Sequence, residues 1–312
     1  MAQTHLLYDM IVVGGGPGGY TAALYAARAG LDVLVLEKLS AGGQMALTET
    51  IDNYPGFPEG IDGFTLAEAM QQQAEQFGAR SEYAEVESMD LTASPKVLHT
   101  TAGDFTAKTV VVATGADPRP LGLADEAALT GRGVAYCAAC DGMRYKGKTV
   151  VVVGGGNSAA EDALLLTRIA KKVILVHRRD TLRATKIYHE PLQQAENLEF
   201  RWNSAVTALL HDDKLTGIRL RDLRTGAETD LPCDAVFISV GRQPATELVA
   251  GQLERDAAGY IIADETTRTN LPGVYAVGDV RTKPLRQVVT AVADGAMAVH
   301  AAEQYLAGGE TT

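Results

Sequence analysis

Cys137-Ala138-Ala139-Cys140-Asp141 holds two cysteines separated by two residues, with a carboxylate directly behind the second. Such a pair can open and close a disulfide by thiolate exchange. Asp141 is placed to move a proton to or from it, as a general acid and base. An aspartate at the start of a turn can also cap a helix, and the two roles can coexist. The chain has three cysteines, too few for a disulfide framework. A close pair is then more often catalytic or metal-binding than structural. Zinc needs four ligands, and neither Cys233 nor the six scattered histidines offers a second set at ligand spacing, so no metal is expected. Cys233, after Leu231-Pro232 and near a probable strand, reads as a small buried hydrophobe.

The elements around the pair give it a context. Leu7 to Val13 is an apolar run of strand character, followed by Gly14-Gly15-Gly16-Pro17-Gly18-Gly19. An alanine-rich helix from about Tyr20 to Ala29 stops at Gly30, and Asp32 to Glu37 reads as the second parallel strand. Gly14, Gly16 and Gly19 carry the Gly-x-Gly-x-x-Gly spacing, which brings a backbone close to a pyrophosphate at a helix N-terminus. Glu37, at the end of the second strand, can accept from ribose hydroxyls. Residues 39 to 64 are a Gly- and Pro-rich loop, long enough to be functional. Thr65 to Phe77 reads as a helix, three short β runs end in Thr109 to Ala113, and Asp117-Pro118-Arg119-Pro120 is a linker.

The motif then repeats. Thr149 to Val153 is a strand, Gly154-x-Gly156-x-x-Ala159 the turn, Ala159 to Ala170 a helix and Lys172 to Val176 the next strand. Glu37 lies 23 residues after Gly14, and His177 lies 23 residues after Gly154. Where the first copy offers a carboxylate, the second offers His177-Arg178-Arg179, with Arg183 close behind. A carboxylate suits a 2′-hydroxyl, and guanidinium forks hold a 2′-phosphate. The first site should therefore take FAD or NAD and the second NADPH. Strand-like runs follow (Asn203 to Leu210, Thr216 to Asp222, Asp234 to Val240), then a second linker at Gly241-Arg242-Gln243-Pro244. Gly273 to Asp279 is a short strand ending in Gly-Asp, and Arg286 to Tyr305 an amphipathic helix. The expected fold is α/β: two Rossmann-like three-layer domains, the second inserted into the first. Residues 1–117 and 244–312 would form one domain, and 118–243 the other. One dithiol among two dinucleotide sites points to electrons passing from a nucleotide, through a second bound dinucleotide, to sulfur.

Composition excludes other classes. With 46% hydrophobic and 21% charged residues, the chain can build full cores. No apolar run reaches the roughly 18 residues a membrane helix needs. Its N-terminus, MAQTHLLYDM, lacks the basic and apolar regions of a secretory signal, so a cytoplasmic location is expected. The net charge of −11 disfavours a nucleic-acid partner.

From Leu7 to Leu306 the chain resembles the bacterial-type, low-molecular-weight thioredoxin reductases. The resemblance is carried by Gly14 to Gly19, Gly42-Gly43-Gln44, Ala113-Thr114-Gly115, Cys137 to Gly142, Gly154 to Ala159, His177 to Asp180 with Arg183, Gly278-Asp279 and Arg286-Gln287. Ala138-Ala139 between the cysteines and the Gly-Arg-Gln-Pro linker are small departures. The resemblance implies FAD on the outer domain, held by Gly14, Gly16, Pro17, Gly19, Glu37, Lys38, Gly43, Gln44, Asn53, Val86, Thr114, Gly115, Gly278, Asp279, Arg286, Gln287 and Val288. Asp279 would accept from the ribityl chain, and Gln287 would begin the last helix near the flavin's pyrimidine end. NADPH on the inserted domain would meet Gly154, Gly156, Asn157, Ser158, His177, Arg178, Arg179 and Arg183. Cys140 would face the flavin and Cys137 would attack the disulfide of thioredoxin or a thioredoxin-like protein, in a homodimeric enzyme. Dithiol and NADPH share the inserted domain, so that domain is expected to rotate on the linkers near Arg119 and Gly241 between half-reactions. Enzymes of the same architecture that serve a peroxidase, draw on ferredoxin or pass electrons to oxygen are the alternative.

Overall fold

The computed structural model describes residues 7–48 and 50–308, which form two compact units. One comprises residues through Asp117 together with those from Gln243 onward, and the other runs from Pro118 to Arg242.

The first unit begins with β1 (Leu7–Val13), α1 (Pro17–Arg28) and β2 (Val33–Glu37). It continues with α2 (Gly63–Gln76), β3 (Arg80–Tyr83), β4 (Val86–Asp90), β5 (Lys96–Thr100) and β6 (Gly103–Val112). β1 is parallel to β2 and β6, and β2 to β3, while β4, β5 and β6 run antiparallel. Alternation along the strands sorts the core. Met10, Val12, Val33, Val35 and Val111 face the helices, and Ile11, Val13, Leu34, Leu36, Val110 and Val112 face the other side. Each such side chain contributes about 1.5–3 kcal/mol on burial, enough to offset the roughly 1–2 kcal/mol of ordering each residue's backbone.

β7 (Ala116–Pro118) carries the chain across to the second unit. There follow α3 (Glu126–Leu129), β8 (Val134–Ala135), α4 (Ala138–Asp141), β9 (Thr149–Gly154), α5 (Asn157–Thr167) and β10 (Lys172–Val176). Next come α6 (His189–Gln194), β11 (Leu198–Arg201), β12 (Ser204–His211), β13 (Leu215–Asp222), β14 (Glu228–Pro232) and β15 (Ala235–Ser239). The order β11-β10-β9-β15-β8 makes an all-parallel sheet. Val150, Val152, Val173 and Leu175 pack under α5, while Val151, Val153, Ile174 and Val176 pack on the antiparallel sheet β12-β13-β14. The runs from Asn203 and Thr216 thus do not extend the parallel sheet. They form the third layer, a half-exposed antiparallel cover, consistent with their polar–apolar alternation.

β16 (Arg242–Pro244) returns the chain to the first unit, where β17 (Val274–Ala276) and α7 (Val288–Leu306) complete it. β17 pairs in parallel with residues Val110 to Val112 of β6, and α7 packs on α1. The two helices touch through glycine: a Cβ on Gly295 would lie 2.3 Å from the Gly18 carbonyl oxygen.

Candidate active site

In the first turn, Gly14 has φ +104°, and a Cβ there would meet the Ala113 carbonyl at 2.5 Å. A Cβ on Gly19 would lie 2.0 Å from the Gly14 carbonyl, so strand and helix approach at backbone distance. Gly16, by contrast, faces open space. It is the N-cap of α1, with Pro17 in the first turn, and among the described residues no side chain caps it and no acidic residue stands in that turn. Unclaimed N–H groups around an open glycine are the cradle a pyrophosphate fills. Glu37 accepts from the Gly15 N–H at 2.6 Å through one oxygen and from the Lys38 N–H at 2.8 Å through the other. Lys38 pairs with Glu85, next to Val86 at the start of β4.

Other residues of the first unit converge on the same region from distant parts of the chain. Gly42 donates to the Gly15 carbonyl at 2.7 Å, and a Cβ on the next residue, Gly43, would lie 4.0 Å from the Gly16 Cα. Gln44 bonds Asp117 at 2.7 Å, and Asn53 bonds Gln287 at 2.9 Å. Thr114 donates to the Ala245 carbonyl at 2.6 Å, and Gly115 accepts from the Ala245 N–H. Gln287 is the N-cap of α7, Val288 its first residue, and the Gln287 N–H donates to Thr290. Arg286 lies over the Tyr260 ring and donates to the Asp279 carbonyl. Gly278 donates to Asp294, which also accepts from Arg281 at 3.1 Å and Lys283 at 2.6 Å. Sequence reasoning missed this buried charge cluster. Its signal was Asp294 itself, the only charged residue between Val288 and Ala302.

The second turn repeats the first with different chemistry. Gly156 is the N-cap of α5 and faces open space, again with no side-chain cap and no acid in the first turn among the described residues. Asn157 accepts from the Thr185 N–H at 2.9 Å, and Ser158 is exposed. Gly155 accepts from the N–H groups of Arg183 and Ala184, which hangs the basic loop on the turn. Arg178, Arg179 and Arg183 are exposed. His177, expected beside them at the phosphate, is only 5% exposed. A Cβ on Gly155 would stand 2.2 Å from its ring, so His177 is the floor of the turn rather than part of its basic rim. Burial, followed by the charges of Arg183, Arg179 and Arg178, pushes its pKa down, which leaves a neutral ring under a cationic rim. In both copies the residue 23 positions after the first glycine meets the second glycine of the turn.

Cys137 and Cys140 are joined in a disulfide, with Cα atoms 5.3 Å apart. Cys137 is the N-cap of α4, and its sulfur accepts from the Cys140 N–H at 3.2 Å. Ala138 is buried and Ala139 exposed, so one edge of the pair is open. Burial pushes the Asp141 carboxyl up to about 6. Arg144 stands 3.9 Å away, too far to hold that carboxyl charged against burial. Asp141 is thus tuned for proton exchange near neutral pH. Just before the pair, the Tyr136 hydroxyl donates to Glu126 at 2.7 Å. Glu126, 4% exposed, also accepts from the N–H groups of Leu121, Gly122 and Leu123. Burial opposes its charge, and these donors outweigh burial, so its pKa falls. Burial and the Glu126 carboxylate push the Tyr136 phenol up. Cys233, outside the pair, is buried with its thiol pushed up to about 12 by that burial, as a small hydrophobe. Among the described residues no cluster of three or more metal-ligating side chains is present.

Two glycine turns of dinucleotide type and a redox disulfide in one chain define a class. The chain belongs to the pyridine nucleotide-disulphide oxidoreductase family, whose sequence profile matches residues 8–295, and within it to the thioredoxin reductases. Its cofactors are FAD and NADPH. Thioredoxin reductase of Treponema pallidum is 44% identical over 299 residues, 96% of this chain and 97% of that one. The Streptomyces clavuligerus enzyme is 47% identical over 96% of this chain and 94% of its own. The crystal structure of Streptococcus pyogenes thioredoxin reductase superposes with a TM-score of 0.90 at 42% identity, covering 98% of this chain and 100% of that one. Lactococcus lactis thioredoxin reductase in its FR conformation gives 0.69 at 40% identity, covering 96% of this chain and 99% of that one.

Proposed function

We propose that this chain reduces the disulfide of thioredoxin or a thioredoxin-like protein, drawing on NADPH and FAD and delivering electrons through the Cys137–Cys140 couple. The observation that carries this is the disulfide at the N-cap of α4, in the unit whose glycine turn is rimmed by Arg178, Arg179 and Arg183. FAD supplies the two-electron chemistry that joins a hydride donor to a disulfide. The open turn at Gly14, Gly16, Pro17 and Gly19 would cradle its pyrophosphate, with Glu37 and Lys38 at the ribose. Gly43, Gln44, Asn53, Val86, Thr114, Gly115, Gly278, Asp279, Arg286, Gln287 and Val288 would hold the rest. Gly154, Gly156, Asn157 and Ser158 would bind the NADPH pyrophosphate and the three arginines its 2′-phosphate, with His177 supporting the turn from below.

Within the couple, Cys140 would take electrons from the flavin and Cys137 would attack the client. The N-cap position of Cys137 supports this, because the Cys140 N–H already points at its sulfur and lowers the cost of a thiolate there. Attack of that thiolate on the client disulfide forms a mixed disulfide, which Cys140 then resolves. Asp141 holds the proton that each cycle moves. Cys137→Ser should keep a long-wavelength thiolate–flavin absorption band in the reduced enzyme, and Cys140→Ser should lack it; the reverse would swap the roles. Thioredoxin-dependent oxidation of NADPH by the flavin-loaded protein tests the whole reading, and failure to reduce any thioredoxin-like client overturns it.

Rotation of the unit 118–242 between half-reactions belongs to this reading. A homodimer is part of the proposal too, supported by exposed apolar side chains in the first unit such as Leu39 and Leu47; light scattering checks it. A dithiol kept reduced by NADPH suits the cytoplasm, where thiols are held reduced, and cell fractionation tests that placement. No helix among the described residues is long and apolar enough to cross a membrane.

A further inference from the structure

Asp294 and its two cations form a buried cluster that the roles above leave without a task. The side chains of Asp294, Arg281 and Lys283 are 12%, 9% and 6% exposed. One oxygen of Asp294 accepts from Arg281 at 3.1 Å, and the other accepts from Lys283 at 2.6 Å and from the Gly278 N–H at 2.9 Å. Lys283 also donates to the Thr290 carbonyl, and Arg281 to the carbonyls of Ala263 and Asp264. A single carboxylate of α7 thus ties down the segment from Gly278 to Lys283. Gly278 has φ +72°, and a Cβ there would lie 3.5 Å from that of Ala291, one turn before Asp294. The start of α1 rests on the same place: a Cβ on Gly18 would lie 3.1 Å from the Ala291 carbonyl oxygen and 3.2 Å from the Val277 side chain. The first glycine turn and the Gly278–Asp279 turn are therefore both seated on α7 at Ala291, and Asp294 fastens the second of them.

A carboxylate withdrawn from water is costly unless it is paired and hydrogen-bonded. Asp294 has both kinds of partner, and its bonds are charge-assisted, hence short and directional. The balance of the cluster is one anion against two cations. Without the anion, two like charges would face each other out of water, where their repulsion is strongest. Arg281 and Lys283 would then move apart, and the Gly278 N–H would lose its anchor. Asp279 lies between those two ends, so its position follows theirs.

We propose that Asp294 is a positioning residue of the flavin site, holding the Gly278–Asp279 turn in register with the first glycine turn and so setting how tightly FAD is kept. This rests on the reading of Gly278 and Asp279 as flavin-binding residues. The test follows FAD release from the flavin-loaded enzyme by the rise in free-flavin fluorescence on dilution, beside the melting temperature and the visible circular dichroism of the bound flavin. Asp294→Asn should release FAD at least about tenfold faster and change the shape of the flavin dichroism, which loss of stability alone would not do. Lys283→Met leaves Asp294 its bonds to Arg281 and Gly278; it should release FAD about threefold faster, and it decides the matter if Asp294→Asn does not fold. Lys96→Met is the control: it removes another buried cation of the same unit, whose ammonium donates to the Leu91 carbonyl at 3.0 Å. It should lower the melting temperature and leave release and dichroism as in the wild type. Asp279→Ala should release FAD faster than the wild type. Wild-type release in Asp294→Asn or in Lys283→Met, beside fast release in Asp279→Ala, overturns this inference alone, as does equally fast release in Lys96→Met. Wild-type release in Asp279→Ala overturns the reading beneath it as well.

Discussion

At the scale of single residues, Asp141 shows how burial sets chemistry. Its carboxyl, pushed up to about 6 by desolvation, keeps its proton in the folded protein up to that pH. In the unfolded chain it loses the proton near about 4. Between these values the folded state holds more protons, so stability falls as pH rises through the window. The penalty is absent below about 4 and complete above about 6, where it reaches about 3 kcal/mol. Asp141→Asn removes it. The variant should match the wild type in urea denaturation near pH 4 and become progressively more stable by pH 7, while turnover falls on the order of a hundredfold for want of the acid–base group. A stability gap that stays flat across that range would refute the assignment. The Cys137–Cys140 pair and the carboxylate behind it were legible in the sequence because type and spacing alone specify them. Glu126 and Asp294 were not, because each acquires its role from what surrounds it: a backbone loop at Leu121, and Arg281 with Lys283. His177 lay between these cases, since counting found its place but not its burial.

At the scale of elements, the duplicated strand–turn–helix was readable because apolar runs and glycines must recur where a backbone approaches a phosphate. Boundaries were less so. α1 begins at Pro17 rather than near Tyr20, because proline suits a first helical turn even inside a glycine run. α2 begins at Gly63, capped by Asp62, whose carboxylate accepts from the Thr65 N–H at 2.8 Å. The packing of α7 on α1 was not legible, since a glycine in an alanine-rich helix does not name its partner. That contact makes a prediction. A Cβ on Gly295 would meet the Gly18 carbonyl oxygen at 2.3 Å and the Ala22 nitrogen at 2.9 Å, both of them backbone. Neither can swing away as a side chain could, so Gly295→Ala must push the helices apart, at about 1–3 kcal/mol. Because α1 carries the first glycine turn, its displacement should also lower flavin content per chain, read from the visible absorbance of the purified protein. An unchanged melting temperature and full flavin loading would show that the helices separate at no cost to the turn.

At the scale of the whole molecule, the chain crosses between its units twice, after Asp117 and after Arg242. The disulfide and the arginine-rimmed turn both belong to the unit from Pro118 to Arg242, which a parallel sheet and two apolar clusters make a single packed body. Residues on one rigid body cannot change places by local adjustment. If each must reach one flavin held by the other unit, and the dithiol must also reach a protein client, the body itself has to turn. On that reading the crossings would be the pivot: Gly241 has φ +115°, and Pro118 and Pro244 flank the two passages, so neither passage continues a helix or a central strand. The expected consequence is separable half-reactions. A bifunctional reagent that links the two units in one arrangement should leave either flavin reduction by NADPH or electron transfer from reduced flavin to the disulfide at its normal rate, and slow the other at least about tenfold, as gating by a domain motion requires. Stopped-flow absorbance resolves the two steps. Should a fully cross-linked population run both at wild-type speed, the units exchange electrons without turning, and rotation drops out of the mechanism.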